Sequence, residues 1–124
     1  MVNGLIEEVD LNFFLYDWLN IEEILIGSET DLDRETVDAF LNLSHMLAKD
    51  HFLPHYKKTD QNEPYLHDGQ VRVLKDISDA LDKYAELGMF AASFPEKYGG
   101  MGFPNIVANT AYTILAAANG ATIG

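Results

Sequence analysis

Three histidines and a run of glycines are the residues of this 124-residue chain whose types and spacing could do chemistry. His51 and His55, four apart, could share a helix face with Asp50 and His45 nearby, the beginning of a metal site. Pro54 stands between them, however, and would distort the helix that must hold the geometry. The paired Glu-x-x-His motifs of di-iron bundles are absent. The histidines are therefore read as surface or half-buried structural residues. Gly99-Gly100-Met101-Gly102 suggests a phosphate cradle, yet a P-loop ends in Gly-Lys-Ser/Thr and a dinucleotide fingerprint needs spaced glycines after a strand. Neither context is present, so the glycines are expected to let two backbone segments pass closely, with Glu96 and Lys97 a solvated pair beside them. Ser28, Ser44, Ser78 and Ser93 lack nucleophile-elbow surroundings, and no carboxylate is marked out by an apolar pocket. The residues alone supply no complete catalytic constellation.

Phe94 to Pro104 is the stretch the chain is organised around: a tight glycine crossing that feeds a helix, with Pro104 presetting its first turn. Beyond Lys97 the last 27 residues carry no charge, although the chain is 23% charged overall. Such a segment calls for burial on most sides, and the chain is read as the front part of a larger protein.

Upstream, Asp10 is an N-cap candidate for a helix from Leu11, with Val9 and Phe14 as a staple and Leu11, Phe14, Leu15, Trp18 and Leu19 as its apolar stripe. A second short helix is expected over Ile21 to Ile26, stopped by Gly27. After a polar connection from Ser28, with Asp31 and Asp33 as candidate caps, Arg34 to Phe52 places Val37, Phe40, Leu41, Leu47, Ala48 and Phe52 on one face, with Ser44 and His51 near it. Lys57 to Gly69 reads as a surface loop, and Asp68 as the cap of a helix carrying Val71, Leu74, Ile77, Leu81 and Tyr84. The opposite face of that helix offers Arg72 with Asp76, Lys75 with Asp79, and Asp79 with Lys83 as i,i+4 pairs, and Gly88 closes it. The last helix runs from about Pro104 to Ala118, with Val107, Thr110, Ala111, Ile114, Leu115 and Ala118 toward the core. The class is all-α, a bundle of four to six mostly antiparallel helices forming one domain over residues 1–124, with about 1–30 as an N-terminal extension.

Twenty acidic against eight basic residues give a net charge of −12, which opposes binding to nucleic acid and to anionic membrane surfaces. With no cysteine there are no disulfides, thiolate metal sites or Cys nucleophiles, which fits a reducing compartment, the cytoplasm being expected. The opening Met-Val-Asn-Gly-Leu-Ile-Glu-Glu has neither a basic n-region nor an apolar h-region. The uncharged C-terminal run is interrupted by Asn, Thr and Gly, and a protein-buried helix is expected in place of a membrane span.

Phe94-Pro95-Glu96-Lys97-Tyr98-Gly99-Gly100-Met101-Gly102 resembles the Pro-Glu-x-Tyr-Gly-Gly-x-Gly signature in the N-terminal helical domain of flavin-dependent acyl-CoA dehydrogenases. Ala85-Glu86-Leu87-Gly88-Met89 resembles the approach to it, and Asp10 to Asp17 resembles the subgroup with an extended N-terminus, the 3-methylmercaptopropionyl-CoA dehydrogenase-like enzymes. The resemblance implies a helical domain that forms one wall of the acyl pocket in an enzyme carrying out α,β-dehydrogenation of an acyl-CoA. FAD and the catalytic glutamate would sit mainly in a β domain and a second helical bundle, so this chain alone would be inactive and would hold no flavin. It further implies an acyl-CoA substrate, the remaining domains of the enzyme as partners, a homo-oligomer, and electron-transfer flavoprotein as the electron acceptor. Phe94, Tyr98 and Met101 are the pocket-wall candidates, with plain core packing as their alternative. The family usually carries an acidic residue about where Tyr112-Thr113-Ile114 stands.

A second reading, from another class, is an independent acidic helical module that docks a partner through its last helix. Under either reading the isolated chain is expected to self-associate through that helix.

Overall fold

The computed structural model describes residues 5–28 and 31–124. The opening Met-Val-Asn-Gly, and Glu29-Thr30 within the polar connection, lie outside the described residues.

The expected helical bundle is what the chain forms. Helix α1 begins as Glu8–Asn12 and continues as a π-helical stretch, Phe13–Trp18; α2 is Ile21–Ile26. Helix α3, Arg34–Leu47, also runs on into a π-helical stretch, Ala48–Phe52, before a 3-10 turn at Leu53–His55 and the short α4, Tyr56–Gln61. Helix α5 is Lys75–Glu86, and α6 is Asn105–Ile123. The long helices α3 and α6 pack on one another at the centre. Phe40 of α3 stacks on Phe103, just ahead of α6, at 4.4 Å between ring centroids.

The cap expected at Asp33 is present: its carboxylate accepts from the Thr36 backbone N–H at 2.8 Å and from the Thr36 hydroxyl at 2.7 Å. These bonds hold the Asp33 carboxyl below the usual carboxylate range. The expected α3 face is buried at Val37, Phe40, Leu41, Leu47, Ala48, Phe52 and Ser44, whereas His51 points to solvent. Gly88 closes α5 with a left-handed φ of 73°, as the sequence predicts.

Several expectations fail for identifiable reasons. Asp10 caps nothing: α1 already starts at Glu8, so Asp10 lies inside it, and Val9 is exposed. In the same helix the backbone N–H of Leu19 reaches Phe14 O, five residues back, at 2.9 Å. That wide turn rotates the faces away from 3.6-residue periodicity, so Leu15 and Tyr16 turn inward while Phe14, Trp18 and Leu19 face out.

The surface loop expected over Lys57 to Gly69 and the cap at Asp68 are replaced by α4 and a two-stranded antiparallel hairpin, β1 (Tyr65–His67) and β2 (Gln70–Arg72). Asp68 (φ 50°) and Gly69 (φ 73°) both take left-handed angles, the geometry that Asp-Gly supplies in a two-residue hairpin turn. The chain is thus helical with one small sheet. Val71, expected on the α5 stripe, is an exposed strand residue, and α5 starts at Lys75 with Leu74 before it.

Of the expected ion pairs only Lys75 with Asp79 forms, at 2.6 Å. Arg72 is on the strand, so Asp76 takes Lys58 at 2.8 Å, and Lys83 takes Glu86 at 3.0 Å.

Helix α6 breaks where expected, just after Ala118, at Asn119 (φ −161°, ψ 89°). The break is fixed by a buried polar knot. Asn119 Nδ2 donates to Phe52 O at 3.1 Å, the Thr122 N–H donates to Asn119 Oδ1 at 3.2 Å, and His55 Nε2 lies 2.8 Å from Thr122 Oγ1. The core side of α6 is sealed at Val107, Ala111, Ile114, Leu115 and Ala118. Its outward positions are Asn105, Asn109, Thr113 and Ala117, small or polar, with Tyr112 the one large side chain half open. The bare apolar face expected of this helix is therefore reduced to Tyr112. The charge-free composition is met by short side chains that water tolerates.

Candidate functional site

Two backbone segments, 91–94 and 100–103, are lashed together at the glycine crossing. Met101 N–H donates to Ala91 O at 3.1 Å, Gly102 N–H to Phe94 O at 2.9 Å, and Phe103 N–H to Ala92 O at 3.0 Å. Gly99 and Gly102 have left-handed φ of 84° and 70°. Gly100 is required for a different reason: a Cβ there would lie 2.0 Å from Phe94 O. Close backbone passage, expected from the glycine run, is thus what the crossing is built for.

The crossing sets the direction of the pocket-wall candidates. Phe94 is 56% exposed and Tyr98 74%, with Lys97 Nζ 5.0 Å from the Tyr98 ring centroid. Met101 is half-buried against the core, and its Cε lies where a Cβ at Gly88 would come to 3.0 Å.

Beside the crossing runs an open groove of about 170 Å³. One bank is Tyr84, Phe90 and Ser93; the other is Ala108, Asn109 and Tyr112 of α6, over a floor that includes Phe40 and Met89. Phe90 meets Tyr84 edge-on at 4.7 Å. Burial, with a smaller contribution from neighbouring Tyr112, pushes the Tyr84 hydroxyl above its usual pKa, so it stays neutral. Phe94, Tyr98 and Met101 do not line this groove. Little in the linear pattern points to it, because Phe90, Tyr84 and Tyr112 come from three separate elements and only the packing of α5, the crossing and α6 brings them together.

The lining holds no carboxylate, histidine, Lys or Arg, so the groove has no proton acceptor or anion anchor of its own. Its lining side chains are mostly apolar or aromatic, with Tyr84, Tyr112, Ser93 and Asn109 as neutral hydrogen-bonding groups, and the surface left open is more polar than apolar. The histidines do not converge either. His55 is buried on Thr122, His45 is buried beneath α1, His51 is exposed, and no three metal-ligand side chains cluster among the described residues. Among those residues no helix is long and apolar enough to cross a membrane.

Residues 34–124 match the family model described as acyl-CoA dehydrogenase, N-terminal domain. A search of curated proteins finds no match.

Proposed function

We propose, from the premise that this chain belongs to the acyl-CoA dehydrogenase family through its N-terminal domain, that it forms one wall of the acyl site in a full-length FAD-dependent enzyme acting on an acyl-CoA thioester. The observation that carries this reading is the open groove between Tyr84, Phe90 and α6, uncharged and lined mostly by apolar and aromatic side chains. At about 170 Å³ it is smaller than the roughly 300–1,000 Å³ of a complete small-molecule site. A wall, completed by other domains of the enzyme, accounts for that size. Phe90 and Tyr112 would flank the acyl chain, and Phe94, Tyr98 and Met101 would meet it, or the facing domain, from the crossing.

The residues present do not fit a flavin dinucleotide. The groove offers neither the volume nor a Lys or Arg to meet a pyrophosphate. We assign the cofactor and the proton-abstracting carboxylate to the other domains, and this chain to binding and exclusion of water. A homo-oligomer, a cytoplasmic location, electron-transfer flavoprotein as acceptor and membership of the extended N-terminal subgroup complete the proposal.

Ala108→Phe in the full-length enzyme tests it, since Ala108 forms the α6 bank of the groove. Over a series of saturated acyl-CoA substrates, kcat/KM for the longest chain should fall about tenfold more than for the shortest, the scale on which apolar pockets discriminate methylenes. An equal loss at every chain length, with the helical signal unchanged, would overturn the assignment.

A further inference from the structure

Nine of the 20 acidic residues precede Arg34, which is the first Lys, Arg or His in the chain. The family match also begins at residue 34. The stretch ahead of it is thus an appendage with its own composition, acidic throughout.

Its attachment is well defined. Leu15, Tyr16, Ile21 and Leu25 are buried, the Tyr16 hydroxyl donates to Asp38 Oδ1 at 2.5 Å, and the Arg34 guanidinium lies 3.8 Å from the Tyr16 ring centroid. Its other side is left open. Phe13, Phe14 and Trp18 are 49%, 47% and 67% exposed. They touch one another: Phe14 stacks on Trp18 at 5.5 Å, and Phe13 meets Phe14 edge-on at 5.5 Å. The π-helical turn creates this cluster by turning the aromatics away from the bundle that holds Leu15 and Tyr16. Three contiguous rings in water are a costly arrangement unless something covers them.

We infer that this aromatic cluster, in a stretch whose Asp10, Asp17, Glu22 and Glu23 are all exposed and which holds no basic residue before Arg34, is a docking surface for a protein partner with an apolar cleft edged by Lys and Arg. Charge selects that occupant. A second copy meeting the same face would set two all-acidic segments against each other, and an anionic membrane would be repelled. A basic-edged cleft instead gains from the carboxylates while its floor takes the rings, Trp18 being the type of side chain that dominates binding at interfaces. The inference does not depend on the acyl-site reading, since none of these residues lines the groove.

Trp18 is the only tryptophan, so its emission reports on this surface alone. The full chain would be titrated with an amphipathic Lys/Leu helical peptide and with a Glu/Leu peptide of the same apolar spacing. The Lys peptide should shift Trp18 emission to the blue and bind about tenfold tighter than the Glu peptide, the gap closing between about 0.05 and 0.5 M salt as the Debye length shortens. Phe14→Ala should weaken binding of the Lys peptide about tenfold without changing the helical signal, Phe14 being exposed. Asp10→Asn with Asp17→Asn should flatten the salt dependence. Equal binding of both peptides, an equal shift on phosphatidylcholine vesicles, self-association abolished by Phe14→Ala, or no shift with any probe would each overturn the inference.

Discussion

Gly100 shows how one missing side chain can fix the course of a backbone. Its Cβ would fall 2.0 Å from the Phe94 carbonyl oxygen and 2.4 Å from the carbonyl carbon, backbone atoms already tied to Gly102. Neither strand of the crossing can yield without breaking the other's hydrogen bonds. Gly100→Ala should therefore cost about 3 kcal/mol, whereas Gly99→Ala, with a left-handed φ but open space around it, should cost only about 1–2 kcal/mol. Urea unfolding of the two variants compares them, and equal losses would mean that backbone angle, not contact, governs the crossing. His45 makes a second residue-scale case. Burial lowers its pKa below the usual 6.5, partly offset by Glu8, and its Nδ1 has no hydrogen-bond partner among the described residues. Because the unfolded chain takes the proton first, stability is full above about pH 6.5 and is lost as pH falls through the lowered value. Unfolding midpoints measured from pH 7.5 down to 5.5 should drop in the parent and drop less in His45→Gln.

Among the elements, α6 and α1 are each set by one local irregularity. In α6 the break at Asn119 leaves extended backbone that any residue adopts, so what holds it is the side-chain amide bridging to Phe52 O and back to the Thr122 N–H. Asn119→Ala should cost about 2 kcal/mol through the buried partners it strands, read as a lower unfolding midpoint. Helix α1 hangs on Tyr16 and Asp38. Burial, then the hydrogen bond to Asp38, pushes the Tyr16 hydroxyl well above the usual tyrosine pKa, so it remains a donor. Tyr16→Phe should loosen the appendage by about 1 kcal/mol and raise amide exchange in α1 while α3 and α6 stay protected. Uniformly faster exchange throughout would show that the appendage is an integral part of the bundle.

For the molecule as a whole, charge and apolar surface are divided unevenly. The acidic appendage with its exposed rings lies outside the matched family segment, while the uncharged α6 and its groove lie within it. Under the proposed function, this chain supplies surfaces and leaves the reacting groups to other domains. Purified by itself it should therefore carry no yellow flavin, checked by absorbance between about 350 and 500 nm after gel filtration, and a monomer with bound FAD would refute the division of labour.

Composition and short-range pattern were enough to settle the helical class, the buried face from Val37 to Phe52, the Asp33 cap, the Gly88 stop and the close backbone passage at the glycines. Each depends on a residue's own conformational limits or on neighbours within one or two turns. The tertiary structure decided the rest. It turned Phe14 and Trp18 outward through a π-helical turn that 3.6-residue spacing does not anticipate. It paired Asp76 with Lys58 in place of Arg72, and it folded Asp68-Gly69 into a hairpin turn in place of a helix cap. It also joined Tyr84, Phe90 and Tyr112 into one groove. These outcomes turn on which distant segments meet, and a linear pattern carries no distance between α5, the crossing and α6 until the core of α3 and α6 has closed.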